Sequence, residues 1–473
     1  MHAISEAARR HERMGIASAG HADGDHEGLD RGGDVSRPAD GRLRRIAAGV
    51  IALLVGWGGA VPAMADPVPV RPESGWTIDG AVLLSRHGMR GSTIPVRCGP
   101  ATKGCLAPDS RDPWPTLDVA AGHLTTSGYA RSVTMGTYYR RLYSAAGLLP
   151  PEGCMTPSTL EFISDAVERT VMTAGAVRDG MAPGCGLMDI SIRQGLYRGA
   201  TCGFEKAEAE KASQAWLGGS WKAVAEGKMA RALGVLSRTL GPLPDETCKQ
   251  HALPAGCHLS DLRATEAEAG PLAIAGGSSE QFAMQYGGGM PVGEVGWGRV
   301  AEAAGEPLGQ AVTTIIATHA LYDSAIAMPL YQAGKLGSQT LNLVNEQIGE
   351  IAAGKGAPFR FLASHDNFIL NVGGLLGLSW HLESYNPFQI PPGGSVAFEL
   401  WRNPEGARFV RLVYRTQTLD QLRENTALDV DHPPAAQVMV PAKCEGAVAG
   451  ACPLATFQSL VASAIEPACL AKP

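Results

Sequence analysis

Three short apolar runs recur along the chain, and each ends in polar residues able to do chemistry. Ala81-Val82-Leu83-Leu84 leads into Ser85-Arg86-His87, and Leu160-Glu161-Phe162-Ile163 into Ser164-Asp165. Phe359-Arg360-Phe361-Leu362-Ala363 leads into Ser364-His365-Asp366. Such runs read as buried strands, although periodicity alone leaves helix open. In open α/β sheets, ligands gather beyond the carboxyl ends of strands. Three strand ends offering Arg, His and Asp therefore form a candidate site drawn from distant segments. A helix-like stretch carrying Arg169 follows the second run.

Between the second and third runs the pattern changes. Residues 205–238 are rich in Ala, Lys and Glu and read as helix, and a Gly-rich stretch follows at 287–298. We read 202–298 as a helical cap inserted into an α/β domain made of 66–201 together with 299–473. Later, Pro391-Pro392-Gly393-Gly394 marks a turn before two strand-like runs, 395–401 and 409–415. The second alternates as Val410-Arg411-Leu412-Val413-Tyr414-Arg415.

Residues 1–65 stand apart. Residues 1–41 show no apolar periodicity; Arg42, Arg44 and Arg45 then precede an uncharged stretch, Ile46 to Ala65, ending in Ala63-Met64-Ala65. This is the pattern of a cleaved export signal. A membrane anchor is the other reading, since about 20 uncharged residues can span a bilayer, but four glycines and Pro62 interrupt the stretch. We expect cleavage after Ala65 and no stable membrane association afterwards. The long preceding arm leaves a later start, at Met14, open.

Eight Arg and eight acidic residues lie in 1–65, so the remainder keeps the net charge of −6. That argues against nucleic acid or anionic membrane as a partner. All ten cysteines follow Ala65, which fits an oxidising compartment and five disulfides. With no Cys-x-x-Cys pair and no His-rich cluster, a metal centre is not expected.

The residues at the run ends suit one chemistry. A phosphate monoester needs cations around its equatorial oxygens, an in-line nucleophile and an acid for the leaving oxygen. Arg supplies a planar, permanently charged fork for phosphate. Arg86-His87-Gly88-Met89-Arg90 offers two such clamps around one imidazole, although an isolated Arg-His-Gly is more often a basic turn. His365-Asp366 could be a phosphate donor beside an acid, or a capping Asp at a helix start. Arg169 on its own reads as a solvated helix charge.

Taken together with Glu168-Arg169-Thr170, Gly296-Trp297-Gly298-Arg299, the 391–394 turn and the ending Ile465-Glu466-Pro467-Ala468-Cys469, these motifs carry a family likeness. After Ala65, over residues 66–473, the chain resembles the histidine acid phosphatases, most closely the bacterial periplasmic 4-phytases and glucose-1-phosphatases. The resemblance implies a phosphoglycerate-mutase-like central mixed sheet flanked by helices, with a smaller inserted helical domain. It implies a phosphohistidine at His87, phosphate held by Arg86, Arg90, Arg169 and His365, and Asp366 as the leaving-group acid. Thr93, Glu280 and Arg299 fall at matching places for substrate contact, and no cofactor is implied. It further implies the pairs Cys154–Cys185, Cys202–Cys469, Cys248–Cys257 and Cys444–Cys452. Cys98 and Cys105 are left over, and we infer a fifth, local bridge.

Three positions depart from the phytase pattern: Ile94 stands where a cation is usual, and Asn367 and Phe368 replace small polar residues. They leave the phosphate end intact while changing the substrate end. The expected activity is therefore that of an exported, monomeric acid phosphatase acting on a small phosphate monoester, phytate-like or, alternatively, a sugar phosphate. A mutase-like isomerase fits poorly with an export signal and disulfides. A non-catalytic phosphate-ester binder fits poorly with both His87 and Asp366 present. Arginines around His87 should disfavour its imidazolium and place activity on the acid side.

Overall fold

The computed structural model describes residues 68–93, 97–98, 105–106, 109–115, 117, 119–186, 189–200, 202–265 and 269–471, with backbone only at 97–98 and 105–106. The expected leader, 1–65, and Ile94 lie outside them.

All three apolar runs are strands of one sheet: β1 (Thr77–Arg86), β2 (Leu160–Ser164) and β4 (Phe359–Ser364), joined by β3 (Ile190–Ile192), β5 (Ser395–Arg402), β6 (Arg408–Thr416), β7 (Ala435–Met439) and β8 (Ala451–Pro453). The strand order is β8-β6-β5-β1-β4-β2-β3, with β7 also pairing β6. From β1 to β3 the neighbours are parallel; from β1 through β5 and β6 to β7 and β8 they are antiparallel. This is the mixed sheet that the resemblance implies.

The runs are unbroken because the central strands are buried on both faces. Along β1, Val82 and Leu84 join one core with Leu362, Phe398 and Leu412, while Ala81 and Leu83 join the other with Phe359, Phe361 and Ala397. The first core is closed by α10 (Leu330–Ala352), α11 (Asp366–Leu376) and α13 (Leu454–Ala464), the second by α1 (Thr126–Ala146) and α2 (Glu168–Met181).

The Ala-, Lys- and Glu-rich stretch forms three helices rather than one: α3 (Lys206–Leu217), α4 (Trp221–Glu226) and α5 (Ala230–Leu240). Gly218 and Gly227 terminate the first two. A short α6 (Asp245–Gln250), then α7 (Pro271–Gly287), α8 (Val300–Ala304) and α9 (Leu308–Ala327) follow. The apolar core of this region runs past residue 298, taking in Val300, Val312, Ile315 and Ala325. The packed helical unit is thus longer than the stretch read as an insertion. α12 (Leu419–Glu424) lies between β6 and β7. Among the described residues, no helix is long and apolar enough to cross a membrane.

Four disulfides link Cys154–Cys185, Cys202–Cys469, Cys248–Cys257 and Cys444–Cys452, the pairs that the resemblance implies. The backbones of Cys98 and Cys105 face each other in an antiparallel ladder; the expected fifth bridge between their side chains lies outside what is described.

α1 and α2 approach so closely that side chains would not fit. A Cβ on Gly136 would sit 2.2 Å from the Val177 carbonyl oxygen, and one on Gly180 would sit 2.1 Å from that of Val133. This contact fixes α2, whose first turn carries Arg169. Gly136→Ala should therefore lose about 1–3 kcal/mol of stability through overpacking, despite the better helix propensity of Ala. A denaturant midpoint equal to or above that of the parent protein would contradict the close approach.

Candidate active site

The site lies where β1 and β4 end side by side. Arg86 pairs with Ser364 in the parallel register, and the His87 N–H donates to the Ser364 carbonyl at 2.9 Å. The 391–394 turn closes over this exit: the Arg86 N–H donates to Gly394 O at 2.8 Å and the Gly393 N–H to His87 O at 3.0 Å. Behind it, the Gly88 N–H donates to Thr173 Oγ1 of α2 at 2.9 Å. A Cβ on Gly88 would meet Ser132 Oγ at 2.8 Å, so the glycine after His87 lets the loop lie against α1.

His87 is 2% exposed. Its Nδ1 is 2.8 Å from the Gly88 carbonyl oxygen. A carbonyl can only accept, so Nδ1 carries the proton and Nε2 keeps its lone pair. Burial, then the charges of Arg86, Arg90 and Arg169, hold the His87 imidazole well below its ordinary pKa. A neutral, nucleophilic ring in acid follows.

Arg86 and Arg90 are buried and share one carboxylate. Glu280 of α7 accepts from Arg86, and its other oxygen lies 2.8 Å from Arg90 Nη2. Arg86 also donates to Ile390 O at 2.5 Å and pairs with Asp366 at 2.8 Å. Burial would push the Glu280 carboxyl up, but Arg90, His319 and Arg86 hold it far below the carboxylate range. The Nε–H groups of Arg86, Arg90 and Arg169 are buried without a hydrogen-bond partner among the described residues.

At the end of β2, Asp165 accepts from His365 Nε2 at 3.0 Å and from the Thr170 hydroxyl. Asp165 is thus the fixed anion that orients His365. His365 Nδ1 stands 3.3 Å from Arg169 Nη2. The His87 and His365 rings meet edge-on with centroids 5.4 Å apart. Asp366 opens α11 at its first helical position, with His365 as the cap residue. The capping reading is thus one residue out. Burial would raise the Asp366 carboxyl; Arg86, His319 and His365 together outweigh it and hold it low in this ligand-free site.

The sequence pattern of the histidine phosphatase superfamily (branch 2) matches residues 77–225 and 317–415. The chain belongs to this family. Phytase AppA of Escherichia coli (strain K12) is 28% identical over 444 residues, 86% of this chain and 98% of that protein. Glucose-1-phosphatase of Providencia rettgeri is 26% identical over 422 residues, 83% and 93% of the two chains. The Hafnia alvei phytase solved with myo-inositol hexakis sulphate is 26% identical, with a TM-score of 0.72 over 85% of this chain and 100% of that one. As a branch 2 histidine phosphatase with these relatives, the chain is a phosphoric monoester hydrolase.

Within this histidine phosphatase site the structure gathers His87, Arg86, Arg90, Arg169, His365, Asp366 and Glu280. Glu280 meets the arginines themselves, a contact with the clamp that a substrate-facing role does not describe. Thr93 is exposed beside Gly122, near Arg169: a Cβ built on Gly122 would lie 3.4 Å from the Thr93 methyl and 3.6 Å from Arg169 Nη1. Arg299 is not drawn into the cluster; it pairs with Asp112 at 2.5 Å and stacks over Trp297. Asn367 is exposed, but Phe368 is buried in the core against Tyr197. The expectation that Phe368 shapes the substrate end is therefore corrected: the helical turn of α11 points it inward.

Three residues escaped the sequence reading: Asp165 in its pairing role, His319 and Asp323. Asp165 stood at a strand end and was legible as a candidate. His319 and Asp323 sit in an apolar helix with no motif. Glu280, His319 and Asp366 bring ligand atoms within 4.8 Å of one another. The carboxylates of this trio already face Arg86 and Arg90, cations that would repel a metal ion.

A depressed His87 has a signed consequence for stability. The unfolded ring titrates near 6.5, so below that pH the unfolded chain binds a proton that the folded site resists. Stability from this group is full above about pH 6.5 and is lost as pH falls, at up to ~1.4 kcal/mol per pH unit. Between pH 7.5 and 5.0 the parent protein should lose more unfolding free energy than His87→Asn. Equal losses in denaturant titrations would contradict a charge-resisting imidazole.

Proposed function

We propose that this branch 2 phosphatase hydrolyses phosphate monoesters through a phosphohistidine at His87, acting on phytate-like substrates in the periplasm or outside the cell. The observation that carries the mechanism is the His87 Nδ1–Gly88 O bond of 2.8 Å, which leaves Nε2 free amid three arginines.

Nε2 attacks phosphorus as the ester P–O bond breaks. Arg86, Arg90, Arg169 and His365 hold the equatorial oxygens, and Asp366 gives its proton to the departing alcohol. Water then attacks phosphorus, Asp366 takes the water proton, and the P–N bond breaks to release inorganic phosphate and the neutral ring. Asp366 must be protonated for the first step although Arg86 holds it ionised in the ligand-free site. A bound phosphate supplies the change: it draws on the charge of Arg86 and sets negative charge beside the carboxyl, and both effects raise its pKa.

The four disulfides and the export-like leader support an oxidising compartment. The relatives include a phytase and a glucose-1-phosphatase. A sugar phosphate is thus the second reading, favoured by Ile94 in place of a cation.

Phosphate release at pH 3–8 from phytate, glucose 1-phosphate and p-nitrophenyl phosphate tests the roles. Activity should peak on the acid side and vanish in His87→Ala. Asp366→Asn should lose about 10²–10⁴-fold on the two alkyl esters and much less on p-nitrophenyl phosphate, whose leaving group needs no proton. Activity still rising at pH 8, or equal losses on all three substrates, would count against Asp366 as the acid.

A further inference from the structure

A second carboxylate–imidazole pair stands beside Asp366. His319 and Asp323 are one turn apart on α9, with Nε2 and Oδ2 separated by 3.3 Å. The same Nε2 lies 3.8 Å from Glu280, and a ring nitrogen of His319 lies within 4.8 Å of an Asp366 oxygen. His319 therefore connects the leaving-group acid to Asp323. The Asp323 side chain is half-buried, 26% exposed against 12% for His319. None of the phosphate clamps described above requires it.

We propose that Asp323 is a specificity-determining residue that limits the negative charge tolerated on the leaving group, lowering activity on polyphosphorylated alcohols relative to esters of neutral, hydroxylated ones without excluding them. This rests on the reading of Asp366 as the acid for the leaving oxygen. In-line displacement puts the leaving group opposite His87 and against Asp366, hence beside His319 and Asp323. The cations Arg86, Arg90 and Arg169 are taken up by the transferring phosphoryl group. What faces the leaving group is a pair of carboxylates, Asp366 and Asp323, with the His319 imidazole. A hydroxyl can donate to such a carboxylate, whereas a further phosphate is repelled by it.

The groups facing Asp323 are His319 from its own helix, Asp366 from α11, Glu280 from α7 and Arg86 from β1. Burial and the two carboxylates outweigh His319 and Arg86 and lift its carboxyl to about 6. Its negative charge is therefore present above that pH and largely gone at pH 4.

The test compares kcat/KM for myo-inositol hexakisphosphate, glucose 1-phosphate and p-nitrophenyl phosphate in the parent protein, Asp323→Asn and Asp323→Glu, at pH 6.5 and 4.0. At pH 6.5, Asp323→Asn should raise the hexakisphosphate-to-glucose-phosphate ratio about tenfold, the size of one like-charge repulsion at a protein surface. Asp323→Glu should keep the parent ratio, and at pH 4.0 the Asn variant should differ by about twofold or less. An unchanged ratio at pH 6.5, or an equal change for all three substrates, would overturn the assignment. Hydrolysis of p-nitrophenyl phosphate by the parent, abolished in His87→Ala, separates that failure from a failure of the phosphatase reading itself.

Discussion

Arg86 of β1 faces Ser364 of β4 in a parallel ladder, and the chemistry of the chain depends on that register. One residue beyond the ladder on each strand stand His87 and His365, whose rings meet edge-on. One residue further on the second strand stands Asp366, the start of α11. A slip by one residue would turn every side chain of β1 to the opposite face, burying the wrong set in both cores. The hydrophobic sandwich that stabilises the fold thus also fixes the placement of His87 relative to Asp366.

Charge follows from this placement. Arg86 and Arg90 cannot be buried beside each other without an anion, and Glu280 supplies one from the helical region. The helical region is thereby joined to the sheet through the phosphate clamp itself. In the proposed mechanism a substrate phosphate competes with Glu280 for the same two guanidinium groups, and in doing so loosens the hold of Arg86 on Asp366. On that reading, binding and readiness of the acid are coupled through one arginine.

The parts of this arrangement legible in the sequence are those with a one-dimensional signature. Apolar runs at 81–84, 160–163 and 359–363 announce buried strands, and the polar residues at their ends announce the site. The four described disulfides were accessible only through family likeness, because spacing does not fix connectivity. The length of the helical unit was not legible: only packing shows that α8 and α9 share a core with α4, α5 and α7. His319 and Asp323 were hidden for a related reason. A histidine and an aspartate four apart in an apolar helix gain meaning only when α9 is laid against Glu280 and Asp366. Phe368 misled because the helix turns it into the core, where its ring packs against Tyr197 and His365 rather than at the substrate end.

The central claim is that Nε2 of His87 carries the phosphoryl group. Rapid acid-free quenching of the protein during turnover, followed by peptide mapping and ³¹P NMR of the trapped species, tests it directly. The structure predicts one phosphate on the peptide containing His87, attached at Nε2 because Nδ1 is engaged by Gly88. Phosphate found on another residue, or at Nδ1 of His87, would contradict it.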